Sequence, residues 1–185
     1  IVMAIKIGNA PCSWGVEWVD DPRNPTWTTV LEECHQAGYD GIELGPVGFM
    51  PEDPGQLGDA LAENSLELIG GVVFQPFHDS SVAKTVMSQA RRTAHALVAH
   101  SAQQMVLIDS ISEARAPFAG RPSETITMAK ADWKAFAGRI RDVAKMGTEE
   151  YGLTVSIHSH AGGYMDFKDE LDALLEEIDE HYLKI

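Results

Sequence analysis

Apolar and polar positions fall in alternating blocks along this chain. Short, nearly continuous apolar runs occur at AIKIGNA (4–10), YDGIELG (39–45), LELIGGVVF (66–74), QQMVLIDS (103–110), GLTVSIHSH (152–160) and YLKI (182–185). Runs this short and this poor in charge suit strands covered on both faces, as in parallel sheets. Between them lie TWTTVLEECHQAG (26–38), QLGDALAENS (56–65), AKTVMSQARRTAHALVAHS (83–101), KADWKAFAGRIRDVAKMG (130–147) and FKDELDALLEEIDEH (167–181). In the first of these Val30, Leu31, Cys34 and Ala37 recur at helical spacing, and Gly38 stands where a helix C-terminus favours glycine. In the last, Phe167, Leu171, Leu174, Leu175 and Ile178 form one stripe with acidic residues opposite.

Strand–helix units repeating roughly every 35 residues predict a (β/α) architecture with right-handed crossovers. Five units are complete and a sixth strand begins at the last residues. A full (β/α)8 barrel takes about 250 residues, so the 185 residues here correspond to an incomplete TIM barrel of about five and a half βα units. Residues 1–185 are read as one partial barrel domain. A doubly wound open sheet fits the length better, but neither GxGxxG nor GxxxxGK[ST] follows any strand.

Hydrophobic residues make up 44% of the chain, enough for a sizeable core, and the formal net charge is −14. So acidic a surface repels phosphate backbones and anionic lipid, so neither nucleic acid nor membrane is expected as a partner. Cys12 and Cys34 have no CxxC spacing and no disulfide framework, which points to a reducing cytoplasm. No segment approaches the roughly 20 apolar residues of a membrane span, and IVMAIKIGNA lacks the basic flank of a signal peptide. A homo-oligomer acting on a small molecule is the expected form.

In either architecture the chemistry belongs at the C-terminal ends of the strands, and there polar and aromatic residues gather. His158 and His160 share a face at the end of the fifth run, roughly 7 Å apart along the strand, and can address one ion, or one ion and its substrate. The bland alternative is that both only bond backbone. His158 is the better ligand and His160 the better acid or substrate contact. Gly162 and Gly163 let the backbone approach a ligand, or only turn it. Glu43 ends the second run, where a carboxylate acts as a base, orients hydroxyls or makes an ion pair. His78 and Gln75 follow the third run as substrate contacts. Asp109 ends the fourth beside Ser110 and Ser112, where capping the next turn is the plainer role. Arg115 and Arg121, in the loop SEARAPFAGRPSE, can grip a carboxylate or phosphate, or simply be solvated. Trp14 and Trp18 can wall a sugar ring or pack. Lys184 stands where a Schiff-base lysine is conceivable. His35, His95 and His100 fall in helices and are read as exposed, and Cys12 as a small core residue.

Three pieces, AGYDGIELG at the second strand, GGVVFQPFHD at the third and HSHAGG at the fifth, occur in order at barrel spacing. Together they resemble the xylose-isomerase-like TIM barrels of the sugar phosphate isomerase/epimerase family, in particular its inosose dehydratase-like branch. The resemblance implies a sugar, sugar phosphate or keto-inositol substrate and one divalent metal ion, Mn, Co, Mg or Zn. It also implies ligands from strands five to eight. The strand-five ligand of the family is commonly Glu, and His158 takes that position here. The remaining ligands, Asp, His and Glu, are expected beyond Ile185. The function so implied is a metal-dependent isomerase/epimerase or dehydratase working through an enediolate. In this reading His158 is on the metal, Glu43 and His160 carry protons, and His78, Gln75, Trp14 and Arg115 touch substrate. The alternative is an incomplete barrel fragment that at most binds a polyol.

Overall fold

A computed structural model of the chain describes residues 5–185, so Ala4, the start of the first apolar run, lies outside the described residues. Five strands and five α-helices alternate: β1 Gly8–Asn9, α1 Trp27–Gln36, β2 Gly41–Glu43, α2 Pro54–Glu63, β3 Glu67–Gln75, α3 Ala83–Ala99, β4 Gln104–Asp109, α4 Lys130–Lys145, β5 Thr154–Ile157 and α5 Lys168–Glu177. The chain divides into two compact units, and β3, α3 and β4 contribute residues to both.

The first unit comprises the residues up to Val72 together with Arg92–Gln104. Its strand order is β1-β2-β3, all parallel, with Gly8 opposite Gly41 and Ile42 opposite Leu68. At Glu43 the register slips to Gly70, so Ile69 is an unopposed bulge residue. Ile69 explains the glycines beside it. A Cβ on Gly8 or Gly41 would fall 2.2 or 2.4 Å from its side-chain carbons. Val30, Leu31 and Cys34 of α1, Leu57 and Leu61 of α2, and Ala94 and Leu97 of α3 are buried around Ile42 and Leu68. Helix starts follow capping chemistry. The Thr26 hydroxyl accepts from the Thr29 N–H, and the Asp53 carboxylate accepts from the Gln56 N–H with Pro54 next in line. As the sequence predicts, Gly38 ends α1 at φ +84°. Serines do the same work elsewhere: Ser65 and Ser101 take positive φ after α2 and α3.

The second unit comprises Val73–Arg91 and Met105–Ile185, with strand order β3-β4-β5. The Ser110 N–H donates to the Gln75 carbonyl and the His158 N–H to the Leu107 carbonyl, each at 3.0 Å. Ser156 bridges Lys184 in parallel, so the sixth apolar run begins a further strand, as expected. Phe77, Met105, Leu107, Phe136, Ile140, Val155, Met165 and Leu174 fill the core.

In each unit the strands are ordered as in sequence. A doubly wound sheet reverses at a switch point, and no reversal occurs among the described strands. Several boundaries differ from the sequence expectation: β1 is only Gly8–Asn9 and β2 only Gly41–Glu43. α4 does not stop at Gly147 but continues as a wider turn over Met146–Glu150, and Gly152 at φ +68° turns the chain. Gly147 is instead needed for closeness, because a Cβ there would lie 2.6 Å from Met105 Cε and 2.7 Å from Val155 Cγ2. α5 ends at Glu177, and Leu171 and Leu175 of its predicted stripe are only half-buried.

Candidate functional site

The strand ends of the second unit converge on one carboxylate. Asp109, the last residue of β4, has a fully buried side chain. Its Oδ1 accepts from the backbone N–H of His78 at 3.0 Å and lies 2.8 Å from His78 Nδ1. Its Oδ2 accepts from the Tyr164 N–H at 2.8 Å. An ionised carboxylate only accepts, so Nδ1 of His78 is the donor in this contact, and in the neutral ring the lone pair is on Nε2. Nε2 has no hydrogen-bond partner among the described residues, and the His78 side chain is 20% exposed. The segment before it is held by Arg139, whose Nε donates to the Phe77 carbonyl at 2.6 Å and Nη2 to the His78 carbonyl at 3.2 Å.

After β5 the chain leaves the ladder, and HSHAGG forms a loop closed on itself. His158 is exposed and His160 half-buried. Their rings lie 6.3 Å apart, and the His160 ring lies 5.4 Å from that of Phe74. His160 Nδ1 faces the Ala161 carbonyl at 3.2 Å. The two glycines have separate tasks. Gly162 takes φ +85°, donates its N–H to Asp166 Oδ2 and accepts from the Ser112 N–H. Gly163 lies flat on β4, where a Cβ would come 2.7 Å from the Asp109 carbonyl oxygen. That approach sets the Tyr164 N–H on Asp109.

Arg115 is placed differently from a solvated or substrate-facing loop arginine. Its side chain is fully buried, and Nη1 bonds Glu170 Oε1 at 2.5 Å. The guanidinium lies 4.5 Å from the Tyr164 ring centroid and 5.4 Å from that of Phe167. The other oxygen of Glu170 accepts from the N–H groups of Asp166 and Phe167. One carboxylate therefore starts α5, closes the histidine loop and neutralises Arg115. Arg121 is exposed and pairs with Glu124 at 2.8 Å. The Gln75 side chain is half-buried at the end of β3.

Glu43 and Trp14 belong to the first unit. Glu43 ends β2 half-buried, and that burial raises its carboxyl above the ordinary value. Cys12 is exposed rather than core; partial desolvation and then the Glu43 charge hold its thiol above the usual range. Trp14 Nε1 donates to Glu33 Oε2 at 2.6 Å, and Trp18 is 48% exposed. His100 is half-buried rather than exposed, and burial lowers its pKa. Lys184 is exposed and its ammonium bonds the Glu180 carbonyl.

The second unit thus carries Gln75, His78, His158 and His160 near strand ends, with the His158 and His160 rings 6.3 Å apart. Sequence reading gave Asp109 the role of a cap and did not single out Tyr164, Arg139 or Glu170. A signal for Asp109 existed: an otherwise apolar strand ending in a carboxylate, with a histidine just after the preceding strand. Among the described residues, no group of three or more His, Cys, Asp or Glu side chains is arranged to hold a metal ion. His158 and His160 offer two imidazoles without a third donor, so these residues do not make up a complete ligand set.

No family model matches the chain. It is 23% identical over 188 aligned residues to an inosose dehydratase of Salmonella agona, an alignment that spans 98% of this chain and 60% of the relative. It is 27% identical over 184 residues to the rhizopine catabolism protein MocC of Rhizobium meliloti, across 94% of this chain and 53% of that protein. The chain therefore spans little more than half the length of the curated relatives it matches. A xylose isomerase-like TIM barrel protein from Mycobacterium smegmatis, solved in complex with magnesium, superposes with a TM-score of 0.72 at 13% identity, covering 96% of this chain and 62% of that one. The sequential parallel strands, the polar strand ends and these likenesses agree: the chain has the xylose-isomerase-like TIM-barrel fold, present in part, and is similar over nearly its whole length to the inosose dehydratase branch of the sugar isomerase/epimerase family.

Proposed function

We propose that this chain works on a sugar, sugar phosphate or keto-inositol as an isomerase, epimerase or dehydratase, through an enediolate. The observation that carries the reading is the set of imidazoles at the ends of two strands, His78 after β3 and His158 and His160 after β5, in a chain similar to an inosose dehydratase. Removal of a proton next to a carbonyl needs a base near neutral pK and donors that steady the enediolate oxygens. Imidazoles and a carboxyl with a raised pKa meet that need. His160 and Glu43 are assigned as proton carriers, and His78, Gln75 and Trp14 as substrate contacts. Arg115, sealed on Glu170, is assigned to holding the histidine loop. Residues 1–185 are taken as part of one barrel domain, which the 96% coverage by a single-barrel structure supports.

A divalent ion, where bound, would supply Lewis acidity at the carbonyl and its neighbouring hydroxyl. His158 is the residue assigned to it. Because the described residues leave its ligand set incomplete, the steps above are confined to this chain's own side chains. The incomplete set and the partial coverage of the relatives favour a second reading, in which the chain at most binds a polyol.

Both readings meet one experiment. The purified chain is incubated in heavy water with a keto-inositol, a ketohexose or a ketopentose, with and without magnesium or manganese, and the sugars are weighed by mass spectrometry. Deuterium gain at carbon above the protein-free control, or loss of water, is expected. Saturation-transfer contacts with no exchange would instead establish the binding-only reading, and neither signal with any substrate refutes both.

A further inference from the structure

We propose that His78 is the residue that moves the carbon-bound proton, through Nε2, and that Asp109 is the positioning residue that makes it able to do so. This rests on the enediolate reading above and replaces the role of mere substrate contact given to His78.

Among the candidate proton carriers of the second unit, His78 has the most fully determined ring. Asp109 Oδ1 binds both its backbone N–H and its Nδ1, which fixes the ring torsion and the tautomer together. Arg139 holds the carbonyls of Phe77 and His78, so the segment cannot rotate to release the contact. The Tyr164 ring stands 5.4 Å from the imidazole, and its own N–H is on Asp109 Oδ2. Nε2 is left as a lone pair without a partner among the described residues, on a side chain 20% exposed. His160 is less suited. Its Nδ1 faces the adjacent Ala161 carbonyl, and no carboxylate is hydrogen-bonded to it among the described residues. A carboxylate that orients an imidazole also stabilises the imidazolium formed when the ring takes a proton.

The step balances on one side chain. Nε2 takes the proton from the carbon next to the carbonyl, and the C–H electron pair becomes the double bond of the enediolate. In isomerisation the neighbouring hydroxyl proton passes to the enediolate oxygen and the imidazolium returns its own proton to the former carbonyl carbon; epimerisation at one carbon would need a second donor on the opposite face. In dehydration the enediolate expels the hydroxyl one carbon further on, and Nε2–H gives it the proton, so water leaves and the ring ends neutral. No oxidant or reductant is needed.

Two measurements on the whole chain test this. In the 15N-labelled protein, two-bond proton–nitrogen correlation is expected to show His78 as the Nδ1–H tautomer, and Asp109→Asn to abolish or reverse it. In heavy water with a keto-inositol, His78→Gln is expected to lower deuterium incorporation at least about 100-fold. Asp109→Asn is expected to lower kcat at least about tenfold with little change in KM. His78 is part-exposed, so His78→Gln keeps the test open should Asp109→Asn fail to fold. An Nε2–H tautomer in the unsubstituted chain overturns the proposal, as does exchange that survives His78→Gln; in the second case the enediolate reading stands. A chain that catalyses no exchange at all refutes the enediolate reading, and the role of His78 with it.

Discussion

Glu170→Gln is the substitution whose effect the structure specifies most closely. Glutamine keeps the volume of glutamate, and its carbonyl can still accept from the Asp166 and Phe167 N–H groups. What is lost is the negative charge on Oε1, 2.5 Å from Arg115 Nη1. The Arg115 side chain has no exposed surface, and Glu170 only 13%. Nε and Nη2 of Arg115 already lack hydrogen-bond partners among the described residues, so Glu170 and the faces of Tyr164 and Phe167 are what offset its desolvation. Removing one partner of a buried pair leaves an uncompensated charge and costs about 3–5 kcal/mol. For a domain with a total stability of about 5–15 kcal/mol, that is a large fraction.

The reasoning also fixes what restores stability. Arg115→Met removes the charge that Glu170→Gln orphans, and methionine adapts to the space between the two rings. The double variant is therefore expected to recover most of the loss, with a coupling of at least about 2 kcal/mol in the cycle. Urea unfolding followed by tryptophan fluorescence reads all four proteins. A cost below about 1 kcal/mol for Glu170→Gln, or strict additivity in the double variant, would refute a sealed ion pair and mean that water reaches the guanidinium.

Three further outcomes are expected. Gly163→Ala drives a Cβ to 2.7 Å from the Asp109 carbonyl, which cannot yield without moving β4, and should cost about 1–3 kcal/mol in the same assay. Ser101→Gly relieves a serine held at φ +60°, where the Ala102 N–H closes α3 on the Leu97 carbonyl, and should add about 0.5–1 kcal/mol. His100 is lowered from 6.5 by burial, so as pH falls the unfolded chain takes up that proton first. Its contribution is complete above the unfolded value and is lost as pH falls toward the folded one. The urea midpoint should drop between about pH 7.5 and about pH 5.5 by less in His100→Gln than in the unsubstituted chain, and equal drops would show that His100 is not responsible.

Much of this architecture could be read from the sequence because it depends on local pattern. The six apolar runs became five strands and a parallel bridge at Lys184, and α1 gave way to Gly38, whose capping chemistry acts over a few residues. Long-range closeness was hidden. Gly147 closes the helical block 130–147 in the sequence, but its role is set by Val155 and by Met105, a strand residue distant in sequence. Arg115 reads as a loop arginine because nothing nearby shows that Glu170 will meet it 55 residues later. The strand ends marked where the site candidates stand, and the histidines at 78, 158 and 160 were found from that rule. Their partners were not, since hydrogen-bond partners across a barrel rim leave no spacing signature.

Asp109 shows why the partners matter more than the count of candidates. It follows Met105 and Leu107 in the buried row of β4, a place where an unpaired carboxylate would be strongly disfavoured. An apolar residue there would satisfy the strand at no electrostatic cost. The carboxylate is tolerated because three N–H donors meet it, two from His78 and one from Tyr164. Two local devices set these donors: Arg139 gripping the carbonyls of 77 and 78 for His78, and Gly163 lying against the Asp109 carbonyl for Tyr164. Packing alone has no use for such an arrangement, since leucine at 109 would fill the row without needing the His78 and Tyr164 donors. An arrangement that holds one imidazole by so many contacts is what the proposed proton transfer at His78 calls for.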